Sequence, residues 1–293
     1  MTPAARIKRR ADIKITIGPF RNLSDFKNCE DIQREVWHFH DIDVTPISML
    51  RALEQSGGIL LGAYNNIGEM VGFVCSLLGT DKKELIQHSH MLAVREAYKN
   101  FDVGYKLKVT QRKESLKQKI RLMTWEFDPM QPVSSYFSLG KLGALANEYK
   151  ENYIGENSSD QDRGLPTDRL FARWPLDAES VARRLETGSP RRDLRKELKN
   201  HIIINHLESI SPGIAISSPV KQNCTDDVIL FEIPYNLPEI KNRNLGVALE
   251  WQGKMRQVFR NYFKKGYIAV DFWVGEDDGR LRAFYYLSKK KQR

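Results

Sequence analysis

Apolar and polar positions fall into two periods along this chain, and the period separates strands from helices. Apolar and polar residues alternate from Ile13 to Ile17, which predicts a strand. Residues 23–38 carry apolar side chains at helical spacing, and a second helix opens at Pro46 and stops before Gly57-Gly58. Three apolar runs follow, Ile59 to Tyr64, Met70 to Leu78 and Leu85 to Val94. The first two are joined by Asn65-Asn66-Ile67-Gly68, a hairpin signal. A polar loop with Lys99, Asn100, Asp102 and Gly104 leads at once into a helix that reaches about Gln118, with Val103, Leu107 and Val109 on its apolar side. Leu122 to Phe127 is the next strand, and Asp128-Pro129 stops it.

The remainder is less regular. Ser134 to Lys141 predicts a short helix, and Ala144 to Tyr153 reads as strand or helix. Residues 155–168 are rich in Gly, Ser, Asn and Asp and predict a surface loop. Gly188-Ser189-Pro190-Arg191-Arg192 has the composition of a linker. Strands are expected near 201–207 and 228–233, then an amphipathic helix over about 245–264. Tyr267 to Val274 and Ala283 to Leu287 read as two closing strands. A hairpin, a third strand, a crossover helix and a further strand imply an α/β protein with a mixed sheet. The linker divides it into residues 1–187 and a C-terminal α+β extension, 188–293, packed on the first part.

Composition narrows the class. The chain has 293 residues, 41 % hydrophobic and 28 % charged, as in ordinary globular proteins. No apolar run is long enough to span a bilayer, and the basic N-terminus lacks the apolar core of a signal peptide. Cys29, Cys75 and Cys224 are odd in number and far apart, which fits a reducing cytoplasm better than a disulfide framework or a zinc site. The net charge of +9 raises a nucleic-acid reading. The charge is scattered over residues 6–14, the helix after Gly104, residues 183–199 and the tail Lys289-Lys290-Lys291-Gln292-Arg293. There is no helix-turn-helix, zinc-finger or aromatic RNA-binding signature, so the surplus favours an anionic cofactor or an acidic partner over a duplex.

The segment 85–113 carries the sharpest chemistry. Strand, polar loop and helix N-terminus make an anion site, because the first helical N–H groups lack internal partners and the helix dipole favours negative charge. A pyrophosphate-bearing cofactor would fit. Lys106, Lys108, Arg112, Lys113, Lys117 and Lys119 are expected to add positive field.

Several stretches together resemble the GNAT superfamily of acyl-coenzyme A transferases, and within it the larger branch of GNAT-type acetyltransferases. They are Ile32-Gln33-Arg34-Glu35-Val36-Trp37, Gly57-Gly58 to Gly62-Ala63, Ser89-His90-Met91-Leu92-Ala93-Val94, and Gly104-Tyr105-Lys106-Leu107-Lys108 with Gln111-Arg112. Thr124-Trp125-Glu126-Phe127-Asp128-Pro129, Lys141-Leu142-Gly143-Ala144 and Pro166-Thr167-Asp168-Arg169-Leu170 continue the series. Phe231-Glu232-Ile233-Pro234 and Lys265-Gly266-Tyr267 extend it into the C-terminal part, so that it covers about residues 25–288. The resemblance implies a GNAT-like, mainly antiparallel twisted sheet flanked by helices. It implies acyl-CoA as co-substrate, its pantetheine arm along Leu92, Ala93 and Val94 on a strand splayed from its neighbour. The pyrophosphate would rest on Lys99, Asn100, Phe101, Asp102, Val103, Gly104 and Tyr105.

Two departures stand out against that family. Asp102 replaces a glycine, so a carboxylate either lies near a diphosphate and repels it, or caps the helix and points away. Leu139 occupies the position where many GNAT enzymes place a tyrosine that protonates the departing thiolate. Tyr136, one turn away, is the substitute candidate, against a role in packing with its hydroxyl at the surface. Ser134 and Ser138 stand where the larger branch usually carries asparagines.

Transfer to an amine needs a base, because an amine near its ordinary pKa is protonated at neutral pH. His90, on the strand that would flank the thioester, is the first candidate, against a plain hydrogen-bonding role in the sheet. His88 shares its face. Glu126 is the alternative base or an ammonium ligand, and Asp128 is either its companion or a turn cap. His38, His40, Asp41 and Asp43 resemble a metal cluster, but nothing completes the ligand set, so no metal is expected. Trp37, Trp125, Trp174 and Trp251 read as core. No nucleophile elbow is present, and Cys75 inside an apolar strand reads as an inert thiol. These features point to an N-acyltransferase acting by direct attack of an amine on acyl-CoA, the amine belonging to a small molecule or a peptide side chain. A catalytically degenerate GNAT-like scaffold is the alternative, and a nucleic-acid-associated protein the weaker one. Oligomeric state is not legible.

Overall fold

The computed structural model describes residues 14–289 apart from Asn157, Gln161, Arg191 and Asp278. Ile13, the basic run before Lys14 and the tail beyond Lys289 lie outside the described residues. The chain forms two compact units, residues 1–123 with 157–163, and residues 124–156 with 164–293.

The first unit carries four strands, β1 (Thr16–Pro19), β2 (Leu60–Tyr64), β3 (Met70–Asp81) and β4 (Glu84–Val94). Each pairs antiparallel with the next. Helices α1 (Leu23–Trp37) and α2 (Ile47–Gln55) precede β2, and α3 (Val103–Lys117) follows β4. Asn22 starts α1 by accepting from the N–H groups of Ser24 and Asp25 at 2.9 and 3.3 Å. Every residue of β2 is buried, which explains its unbroken apolar run. Leu60 and Tyr64 pack with Phe26, Cys29, Ile32 and Leu50 of α1 and α2. Leu61 and Ala63 pack with Val103 and Leu107 of α3. The helices therefore cover opposite faces of one sheet, as the alternation of side chains along β2 requires.

The strand predicted at 122–127 is β5 (Leu122–Phe127). In the second unit it is followed by a helical turn α4 (Pro132–Ser135) and a π-helical turn, Tyr136–Lys141. The remaining strands are β6 (Leu145–Lys150), β7 (Arg169–Pro175), β8 (Ile202–Ile203), β9 (Leu207–Ser211), β10 (Ile214–Ser217), β11 (Val228–Pro234), β12 (Ile268–Asp277) and β13 (Arg280–Ser288). The helices are α5 (Glu179–Thr187), α6 (Leu194–Asn200), α7 (Leu237–Arg243) and α8 (Leu245–Lys264). The sheet of this unit runs β5-β7-β6-β12-β13-β11-β8, with β9 and β10 as a separate hairpin. Helix α8 buries Trp251, Met255, Val258, Phe259 and Tyr262. The architecture is mixed α/β, with mainly antiparallel sheet flanked by helices, as expected.

The expected division at 187/188 is not where the compact units part. Strand β6, early in the sequence, pairs with the late β12 at Ala146 and Ala269. Arg184 and Arg192, from either side of the linker-like stretch, both donate to the buried Asp271 carboxylate, at 3.3 and 2.7 Å. The Gly-Ser-Pro stretch there joins α5 to α6 within one unit. Elements β7, α5, α6, β9, β10 and α7 were not predicted, since each is short or lacks a clean period. No helix among the described residues is long and apolar enough to cross a membrane.

Candidate functional site

Strand β4 changes face at His90. Cys75 of β3 stands opposite Met91, and the next residue, Ser76, stands opposite Ser89, so His90 is an extra residue in a β-bulge. On the N-terminal side of the bulge, Gln87 and Ser89 face α3. Gln87 Nε2 donates to Gln118 Oε1 at 2.7 Å, and Ser89 Oγ donates to Gln111 Oε1 at 2.9 Å. Beyond it, Leu92 and Val94 take over the α3 side, while Met91 and Ala93 pack on the α1 side. Without the extra residue the strand would keep one parity, and Leu92 would lie on the wrong face. His90 is exposed and His88 half-buried. A ring nitrogen of each lies within 4.8 Å of one on the other, as their expected common face requires.

Leu92, Ala93 and Val94 lie opposite Val74, Phe73 and Gly72. The register needs glycine at position 72, because a Cβ there would sit 2.7 Å from the Ala93 carbonyl oxygen. Arg95 then ties the strand end to Glu35 and donates to the Met70 carbonyl at 3.3 Å.

The predicted loop is compact. Residues Glu96–Phe101 form a short 3₁₀ turn, and Asp102 turns the chain into α3 with φ of 55°. That left-handed conformation is where a glycine costs least, which is the physical reason for a glycine at this place. The Asp102 side chain accepts no capping hydrogen bond from the helix it opens, so the cap reading is not realised. Its backbone carbonyl accepts the first helical bond, from Lys106 N at 2.9 Å. Val103 is fully buried against β2 and β3, with Leu92, Val94, Tyr98 and Phe101 packed around it. The helix start is thus seated at the end of β4, with its dipole directed there.

Charge around this helix start is smaller than the sequence count suggests. Lys99 forms an ion pair with Glu96, and Lys117 pairs with Glu114 at 2.7 Å. Lys108 does not lie at the surface. It is buried, and burial pushes its amine well below the ordinary 10.5. Its Nζ donates to Gln111 Oε1 at 3.1 Å and to Met123 Sδ at 3.3 Å. The periodicity named Val103, Leu107 and Val109 as the inner face; Val109 is only half-buried, while Val103 and Leu107 are buried there with the polar Gln111 and Ser115. The i, i+4 spacing would have found them had polar residues been admitted to the stripe.

In the second unit, Glu126 is half-buried on β5. Asp128 Oδ1 accepts from Met130 N at 2.8 Å, so it caps the turn around Pro129 as its alternative reading held. Tyr136 opens the π-turn and is 37 % exposed, its ring against Gly140, where a Cβ would lie 2.7 Å from Tyr136 Cδ2. Leu139 is fully buried core. Ser138 accepts from Trp125 Nε1 at 3.0 Å, which commits its hydroxyl to the core.

The remaining candidates are committed locally. His38 caps α1 in a left-handed conformation and pairs with Asp160 at 3.0 Å, while Asp43 holds Ser158. The Asp43 carboxylate lies below its ordinary range because Ser158 donates to it from hydroxyl and backbone. Cys75 is buried, and desolvation pushes its thiol up to about 12, which excludes it as a nucleophile at neutral pH.

Fold and site define a mixed α/β protein in which a helix starts just beyond the end of a bulged strand. No family description matches the chain, and no curated protein matches it. Among solved structures it is similar to a chain of the NatC complex bound to Gag peptide and CoA, at 14% identity and a TM-score of 0.45 over 55% of this chain and 98% of that one. It is similar to the ribosomal-protein-S18-alanine N-acetyltransferase from Escherichia coli, at 15% identity and 0.43 over 56% and 96%. It is similar also to Arabidopsis thaliana NAA60 in complex with a bisubstrate analogue, at 14% identity and 0.44 over 55% and 97%.

Proposed function

We propose that the chain is an acyl-CoA-dependent N-acyltransferase. The observation that carries the proposal is the path of β4. An exposed histidine sits at a bulge, three residues on follow in regular register, and one 3₁₀ turn later a 15-residue helix begins. In this reading the pantetheine arm lies along Leu92, Ala93 and Val94. The diphosphate rests on the first N–H groups of α3, among residues Lys99, Asn100, Phe101, Asp102, Val103, Gly104 and Tyr105. Acyl-CoA supplies the thioester. A substrate amine attacks the carbonyl carbon, the carbon–sulfur bond breaks, and the thiolate leaves with a proton.

His90 takes the proton from the attacking ammonium, for which an imidazole poised near neutral pH is suited. Glu126 is the alternative base, and Tyr136 the proposed donor to the thiolate. The acceptor is an amine of a small molecule or a peptide side chain. The buried thiols of Cys29 and Cys75 support a cytoplasmic setting.

Turnover of a panel of amines with acetyl-, succinyl- and long-chain acyl-CoA tests the proposal. His90→Ala should lower turnover and leave coenzyme A affinity nearly intact, and the loss should shrink at high pH, where the substrate amine deprotonates unaided. Unchanged turnover would remove His90 from the mechanism, and the same profile for Glu126→Gln would transfer the role. Leu139 in the core and Asp102 at the helix start favour a second reading, a GNAT-like scaffold without turnover. Coenzyme A binding with no acyl transfer to any amine would support it.

A further inference from the structure

We propose that His88 and His90 form a binding site for a divalent transition-metal ion, zinc being the ion their chemistry suits. This goes beyond acyl transfer and does not depend on it. Two imidazoles on one strand, with ring nitrogens within 4.8 Å, need only small side-chain rotations to reach a common ion. Zinc takes neutral imidazole at about 2.0–2.1 Å and accepts a tetrahedral set in which water fills open positions. The strand that carries the pair is firmly held. β4 is in register with β3 on both sides of the bulge, and Ser89, between the two histidines, is anchored to Gln111 of α3. A fixed backbone lowers the entropy lost when two ligands converge on one ion. His90 is exposed, so an ion has an entry path.

Two of the chain's other four histidines are placed differently. His38 pairs with Asp160, and His201 lies 3.3 Å from Glu197 on its own helix turn. A metal on His90 would occupy the nitrogen lone pair that a base needs, so zinc would also switch off acyl transfer.

The test is zinc titration of the untagged full chain by calorimetry, without acyl-CoA, so that it reads metal binding whatever the catalytic outcome. One saturable equivalent is expected. His88→Ala and His90→Ala should each weaken binding by about tenfold or more, and His38→Ala should leave it unchanged. Cobalt(II) gives a second readout, a visible band that appears with the parent chain, disappears on zinc addition, and is missing in both variants. His88→Asn and His90→Asn, checked for folding by circular dichroism, replace the alanine variants if those unfold. Absence of saturable binding, or binding that survives loss of both histidines or fails in His38→Ala, would overturn the site.

Discussion

Lys108→Met replaces a buried amine by a side chain of similar length with no charge to lose. In the folded chain burial holds the Lys108 amine well below its ordinary 10.5. In the unfolded chain it titrates near that ordinary value. Between the two values the unfolded state therefore binds one more proton than the folded state. Stability contributed at this position falls as pH is lowered through that window and recovers as pH rises toward 10.5. Each pH unit is worth about 1.4 kcal/mol. The substitution also removes the hydrogen bond to Gln111 Oε1, a loss of about 1 kcal/mol. Gln111 Oε1 keeps the Ser89 hydroxyl as a donor, so the acceptor is not orphaned. The two effects balance roughly one unit below 10.5, and at lower pH the variant should be the more stable protein. Urea denaturation at successive pH values below 10.5 should show the variant-minus-parent difference growing as pH falls, by up to about 1.4 kcal/mol per unit. Parallel stability curves, with a constant offset across that range, would mean that Lys108 keeps its proton on folding, and the reasoning would fail.

Asp102→Gly relieves a left-handed residue and removes a carboxylate from the helix start, so it should raise stability by about 1 kcal/mol and tighten coenzyme A binding. Equal affinity in calorimetry would show that the carboxylate points away from the phosphates. Lys99→Glu should weaken coenzyme A binding only modestly, since Glu96 already offsets the charge of Lys99; a loss of a hundredfold would show that Lys99 leaves Glu96 for the phosphates. Gly72→Ala drives a Cβ to 2.7 Å from the Ala93 carbonyl oxygen and should cost about 1–3 kcal/mol in urea denaturation. An unchanged midpoint would mean that β3 and β4 shift apart without penalty. Arg256→Met strips the bidentate partner, at 2.7 and 2.9 Å, from the buried Asp168, and should cost about 3–5 kcal/mol in the same assay. A loss below 1 kcal/mol would show that Tyr149 and Asn152 alone satisfy that carboxylate.

Local order was legible in the residues themselves. The helix 23–38, the stop before Gly57-Gly58, the three apolar runs and the helix after Gly104 depend on contacts a few residues apart, and periodicity reports those directly. The strand–loop–helix of the candidate site was legible for the same reason. Tertiary structure decided the rest. A bulge exists only where two strands pair, so the extra residue at His90 has no signature in β4 alone. Whether Lys108 is a surface charge or a buried amine depends on what lies against α3, and an alternating count of lysines carries no such information. Asp102 read equally well as a cap or an intruder until its side chain was seen to accept no capping bond from α3. The stretch at 188–192 has the composition of a linker, and only the buried Asp271, 79 residues further on from Arg192, ties it into the unit. Sequence carries the short-range terms of the fold, and the long-range pairings that reassign these residues are set by which surfaces meet.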